Sequence, residues 1–120
     1  MNLKEIADEL VAGCRENRAK ANLDKLYAAD AVSVEAVDAS GMGREAHGRD
    51  AIRGKHDWWE SSTEVTGGNV SDPMVHGEDR FAVIFEVQGK FKESGESFDM
   101  REVALYHVAD GKIVREEFFY

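Results

Sequence analysis

The stretch 80–120 constrains this chain more than any other part of it. It breaks into three runs, 80–92, 96–109 and 112–120, in which aromatic and β-branched residues alternate with polar ones. Alternation with a period of two is the signature of strands that carry side chains to opposite faces. The breaks fall at Ser94-Gly95 and Asp110-Gly111, pairs suited to two-residue hairpin turns because such turns need positive φ. Three strands joined by tight turns predict an antiparallel meander.

Two-residue turns also fix an expected register. Ile84 pairs with Leu105, Glu86 with Val103 and Gln88 with Arg101; across the second turn Leu105 meets Glu116, Val103 meets Phe118 and Arg101 meets Tyr120. These residues share one mixed face. The other face collects Phe81, Val83, Phe85, Val87, Phe91, Phe98, Met100, Ala104, Tyr106, Val108, Ile113 and Phe119, interrupted by Glu102, Arg115 and Glu117. A sheet apolar on one side and mixed on the other buries both, one under its own helices and one against a partner. A homodimer through the sheet is the expected partner.

The rest of the chain supplies helices. Leu3, Ile6, Leu10, Val11 and Cys14 fall on one helical stripe, opened by Asn2 and Glu5 at capping-box spacing. A shorter helix is expected over 18–28, with Leu23, Leu26 and Tyr27 on one face, then a strand over 31–37 and a glycine-bearing loop over 38–48. A third helix begins at Arg49–Asp50 and carries Ile52, His56, Trp59 and Thr63 along one side. The next strand, bent at Gly67-Gly68, lasts to about His76. With 120 residues there is room for one domain, 1–120, of α+β class.

Charge narrows the function classes. Against 15 Lys and Arg stand 24 Asp and Glu, a net charge of -9 with no basic stripe, which disfavours a nucleic-acid partner. Cys14 is the sole cysteine, so neither a disulfide nor a thiolate metal site is expected. The four histidines lack ligand spacing, and no phosphate-cradling glycine loop occurs, so no metal and no cofactor is implied. Nothing in the sequence suggests a signal peptide or a membrane span, and a soluble cytoplasmic protein is the expectation.

Three segments carry a resemblance: Leu26-Tyr27-Ala28-Ala29-Asp30-Ala31 entering the first strand, Gly48-Arg49-Asp50-Ala51-Ile52 opening the third helix, and Gly111-Lys112-Ile113-Val114 opening the last strand. In order and spacing the chain resembles the nuclear transport factor 2-like superfamily, which includes ketosteroid isomerases and SnoaL-like polyketide cyclases. The resemblance implies a cone-shaped curved antiparallel sheet, a half-barrel, packed over three N-terminal helices around one pocket, and often a dimer. Function does not follow from the fold, which hosts enzymes and inert binding modules alike.

Carried over residue by residue, the resemblance implies that Glu35 stands where ketosteroid isomerases place a carboxylate base. Their two oxyanion donors fall on about Val11 and Val103, both apolar, which argues against steroid-isomerase chemistry. Arg101 and Glu116 resemble part of the Arg-and-carboxylate set of an epoxide hydrolase, with Val103 where a further carboxylate belongs. The mixed face is implied to line the cone, leaving the phenylalanine-rich face for the dimer.

The expected catalytic set is therefore Glu35, His56, Arg101 and Glu116. The expected ligand-binding set is Tyr27, Trp59, Glu86, Gln88, Val103, Leu105, Phe118 and Tyr120, taking a small hydrophobic or amphipathic molecule. Each has a plainer alternative: Glu35 as a surface residue beside Val34 and Ala36, Arg101 with Glu116 or Glu86 as a structural ion pair, His56 as a helix-surface histidine, and the aromatics as core or interface. Two function classes stay open, a cofactor-free isomerase, lyase or cyclase, and a non-catalytic ligand-binding or dimerisation module.

Overall fold

A computed structural model describes residues 1–39 and 41–120. Ser40, inside the loop expected over 38–48, lies outside the described residues. The elements run α1 (Leu3–Arg15), α2 (Asn22–Leu26), β1 (Tyr27–Val34), β2 (Glu45–His47), α3 (Arg49–Ser62), β3 (Thr63–Val70), β4 (Met74–His76), β5 (Arg80–Phe91), β6 (Ser97–Ala109) and β7 (Lys112–Phe119). The α+β class and the helices packed on one large curved sheet are as expected from the sequence.

Local signals set the helix ends. The Asn2 side chain accepts from the Glu5 backbone N–H, and the Glu5 side chain accepts from the Asn2 backbone N–H, closing the capping box that starts α1. The second helix is only five residues long. The segment before it is turn, and Tyr27 already lies in the strand, so β1 starts and ends earlier than the expected 31–37. The loop over 38–48 contains β2, and the strand expected to reach His76 breaks at Ser71-Asp72-Pro73, where Pro73 has no N–H to give a ladder.

The strands lie in the order β2-β1-β7-β6-β5-β3, with β4 also on β5. All pairings are antiparallel except β1 with β7, which is parallel. The register departs from expectation at two places, with different consequences.

Between β5 and β6 the connection is longer than two residues. Phe91 N–H donates to Glu96 O and Gly95 N–H to Phe91 O, with Gly95 at φ 72. Ile84 therefore pairs with Val103, Glu86 with Arg101 and Gln88 with Asp99. The slip is two residues, so each side chain keeps its face.

Between β6 and β7 the Asp110-Gly111 turn forms as expected, with φ of 52 and 74, and Val108 pairs with Ile113. A bulge between His107 and Val108 then shifts the pairing by one: Tyr106 meets Glu116, Leu105 meets Glu117 and Ala104 meets Phe118. A one-residue shift exchanges the faces. Glu116 and Phe118 join the side of Tyr106 and Ala104, while Arg115, Glu117 and Phe119 turn to the other.

The helices cover the side that holds Phe81, Val83, Ala104, Tyr106 and Ile113, all fully or nearly fully buried against Ile6, Leu10, Leu23, Leu26 and Ile52, with Phe85 packed on the cluster. This overturns the expected orientation. The phenylalanine-rich face is the inner face, and the Arg101-bearing face is the outer one. The physical reason is area: the more apolar face gains more by leaving water, and the helices supply the matching apolar stripes. Phe81 stacks on its strand partner Tyr106 with ring centroids 4.7 Å apart.

Candidate acid–base site

The inner face is apolar except at one end, where β7, β6 and the residue after β1 bring carboxyl groups under α3. Each gets there by strand alternation. Ser33 pairs with Glu116 across the parallel β1–β7 ladder, and Glu35 lies two residues on from Ser33. The bulge at His107/Val108 delivers Glu116, and Glu102 follows two residues before Ala104 on β6. From α3, Lys55 sits three residues after the buried Ile52, which points it at the sheet.

These side chains form a continuous chain of contacts. Tyr27 Oη donates to Glu116 Oε2 at 2.5 Å. Ser33, fully buried, faces the same carboxyl and stabilises its charge. Lys55 Nζ donates to Ser33 Oγ at 2.6 Å and pairs with Glu35 Oε1 at 2.6 Å. Tyr120 Oη donates to Glu35 Oε2 at 3.0 Å. The Lys55 ammonium also lies 5.2 Å from the centroid of the Phe118 ring, within cation–π range.

Burial grades along the chain. Tyr27, Ser33 and Glu116 are buried, whereas the Glu35 and Lys55 side chains are 28% and 26% exposed. Desolvation raises the Glu116 pKa, and the Tyr27 bond and Lys55 hold it down in part. Desolvation of the phenol and the neighbouring Glu35 carboxylate push the Tyr120 pKa up to about 12.

Glu102 differs from the rest. It is half-buried and, among the described residues, takes no hydrogen bond and no ion pair. Burial first, then the negative charge of Glu35 and, more weakly, that of Glu116 raise its pKa to about 7, while Lys55 opposes them. An unpaired carboxyl that titrates near neutrality can both accept and release a proton at working pH.

Of the expected catalytic residues, Glu35 and Glu116 are brought together in this cluster. His56 is half-buried beside Lys55, its pKa lowered by burial and by that ammonium, and its other charged neighbours are Lys20, Asp57 and Glu60. Arg101 is corrected: it is exposed on the outer face and, among the described residues, makes no ion pair. Of the expected ligand residues, Tyr27, Phe118 and Tyr120 join the inner cluster. Trp59 packs on Phe98 farther along the inner face, with centroids 5.5 Å apart. Glu86, Gln88, Val103 and Leu105 share the outer face with Arg101, because the helices took the opposite side.

The sequence reading missed Ser33, Lys55 and Glu102 as site residues. Glu102 had left a signal, a charge interrupting the apolar side of β6, and Lys55 stood at helical spacing from Ile52. Glu102 stands one residue before Val103, and alternation turns it to the inner face.

A cleft of about 500 Å³ opens on the inner side between α1, α3, β3 and β5, lined by Cys14, Arg15, Trp59, Gly68, Phe85 and Val87, among others. Its Phe85 is the strand partner of Glu102. Cys14 is also near Glu116; burial and that carboxylate push the thiol up to about 12. Among the described residues no group of three or more His, Cys, Asp or Glu is arranged to hold a metal, and no helix is long and apolar enough to cross a membrane.

The model of the SnoaL-like domain matches residues 1–120. This chain belongs to the SnoaL-like domain family. A Mesorhizobium loti protein provisionally named a SnoaL-like polyketide cyclase is 38% identical, with TM-score 0.91 and both chains covered in full. A similarly named protein of Jannaschia sp. CCS1 is 14% identical with TM-score 0.77, covering 98% of this chain and 85% of that one. A Catenulispora acidiphila protein with a ketosteroid isomerase-like fold, solved in complex with trimethylamine, is 18% identical with TM-score 0.66 over 98% and 85% of the two chains. The last two are likenesses of fold. No curated protein matches. Small-molecule binding is the use to which this SnoaL-like fold is suited.

Proposed function

We propose that this SnoaL-like protein binds a small, largely apolar molecule bearing an enolisable carbonyl and moves a proton on it without a cofactor, as an isomerase, lyase or cyclase. The observation that carries this reading is the unpaired Glu102 carboxyl on the inner face, poised near neutrality beside Glu35, Lys55 and Tyr120. Glu35 has both oxygens engaged, one by Lys55 and one by Tyr120, so it serves as a fixed counter-charge. Glu102 takes the proton and returns it. A positioned base of this kind contributes about 100-fold or more to rate.

The cleft favours a second reading, a binding module without turnover. It is lined by Cys14, Trp59 and Phe85 but by none of Glu35, Glu102 and Glu116. One experiment separates the two. Cyclic ketones and 1,3-dicarbonyls that raise the melting temperature are incubated with the protein in D2O, and loss of the α-proton is followed by NMR. Exchange faster than buffer in the wild type and slowed about 100-fold or more by Glu102→Gln supports acid–base chemistry. Binding with exchange at the buffer rate leaves the module.

A homodimer belongs to the same reading, moved to the outer face. The helices pack on the inner side, and Val103 and Phe119 stand 39% and 51% exposed on the outer one. Glu86 and Arg101 are strand partners there. A two-fold axis parallel to the strands and between β5 and β6 sets Glu86 over the partner's Arg101, and Ile84 over the partner's Val103.

A further inference from the structure

Three carboxyl-bearing residues, Glu102 on β6, Glu116 on β7 and Glu35 just after β1, come to the site, and a single ammonium lies among them. Lys55 comes from the helix above, bonds Glu35 Oε1 and Ser33 Oγ at 2.6 Å each, and lies against the Phe118 ring. Ser33 connects it to the buried Glu116–Tyr27 pair. An ammonium has three donors, and two are spent on Ser33 of β1 and Glu35 just beyond it. Its position is thus fixed by strand β1 below and by α3 above, with little rotational freedom left.

We propose that Lys55 is the positioning residue of this site: it fixes Glu35 and the Ser33–Glu116–Tyr27 chain, and so sets the local charge against which Glu102 exchanges its proton. The inference rests on the acid–base reading of Glu102. The groups facing Glu102 are Glu35 from the end of β1, Glu116 and Tyr120 from the β7 side, Tyr106 from its own strand and Lys55 from α3; β5 offers Phe85, which carries no charge. His56, the next residue on α3, interacts with Lys20, Asp57 and Glu60. Lys55 is therefore the one positive group among those that face Glu102. Without it, three carboxyls would face one another with no cation between them, and like charges in a half-dry site hold protons more tightly.

The test reads titration as well as turnover. The Glu102 carboxyl is followed by carbon NMR from pH 4 to 9 in the wild type, Lys55→Met and Lys55→Arg. Lys55→Met should raise the Glu102 midpoint by about one pH unit and carry the acidic limb of any pH–rate profile with it. Lys55→Arg should hold the midpoint near its wild-type position. In the wild type the Lys55 Nζ resonance should shift with the same midpoint as Glu102, which keeps the proposal testable if Lys55→Met does not fold. A Glu102 midpoint that stays in place in Lys55→Met, or a Lys55 resonance that does not follow Glu102, overturns it. Midpoints that move as expected in a protein that exchanges no α-proton would sink the acid–base reading and leave the role of Lys55 standing.

Discussion

Replacing Glu102 with glutamine should stabilise this protein at pH 8 and leave it unchanged at pH 4.5. In the folded chain the Glu102 pKa rises from 4.5 to about 7, with desolvation the first cause and Glu35 and Glu116 adding to it. A folded carboxyl that holds its proton more tightly than the unfolded one makes stability fall as pH rises between the two pKa values. Here that window runs from about pH 4.5 to about 7. At about 1.4 kcal/mol per pH unit the full effect is capped at about 3.5 kcal/mol. Glu102 is only half-buried, so water screens part of it and about 1–2 kcal/mol is the expected gain. Glutamine keeps the shape, drops the charge and relieves Glu35 and Glu116 of a like-charged neighbour. Urea unfolding followed by fluorescence of Trp58 and Trp59, at both pH values, measures the difference. Equal stability differences at pH 4.5 and pH 8, or a glutamine variant less stable at pH 8, would refute the raised pKa and with it the poised acid.

Two further changes probe other parts of the structure. Tyr27→Phe removes the 2.5 Å bond to the buried Glu116; it should destabilise by about 1.5–3 kcal/mol at pH 7 and raise the Glu116 pKa further, and a loss under about 0.5 kcal/mol in urea unfolding would show the pair to be idle. For the outer face, Arg101→Glu should split a dimer seen by sedimentation equilibrium by setting like charges across the two-fold, and the double swap Arg101→Glu with Glu86→Arg should restore it. A wild-type monomer at micromolar concentration, or a dimer indifferent to both variants, rules out that pairing.

Some of this architecture is written locally. The α1 stripe, its Asn2–Glu5 box, the start of α3 at Arg49 and the Asp110-Gly111 turn each depend on residues within a few positions of one another, and each forms where the sequence placed it. The face of every β5 and β6 residue was also legible, because strand alternation survives a slip of two. The β6–β7 pairing was not. One bulge beside His107 reversed the face of Glu116, Phe118 and Phe119, and the turn signal at Asp110-Gly111 does not announce it.

Which face the helices cover lay beyond local rules as well. Pattern alone showed two unlike faces; the choice between them depends on the summed apolar area that α1, α2 and α3 can bury, a quantity that exists only once helices and sheet meet. The same holds for the site. Glu102, Ser33 and Lys55 are far apart in the chain and individually unremarkable in it. Their chemistry comes from desolvation and mutual charge, and neither acts until the chain has brought them together out of water.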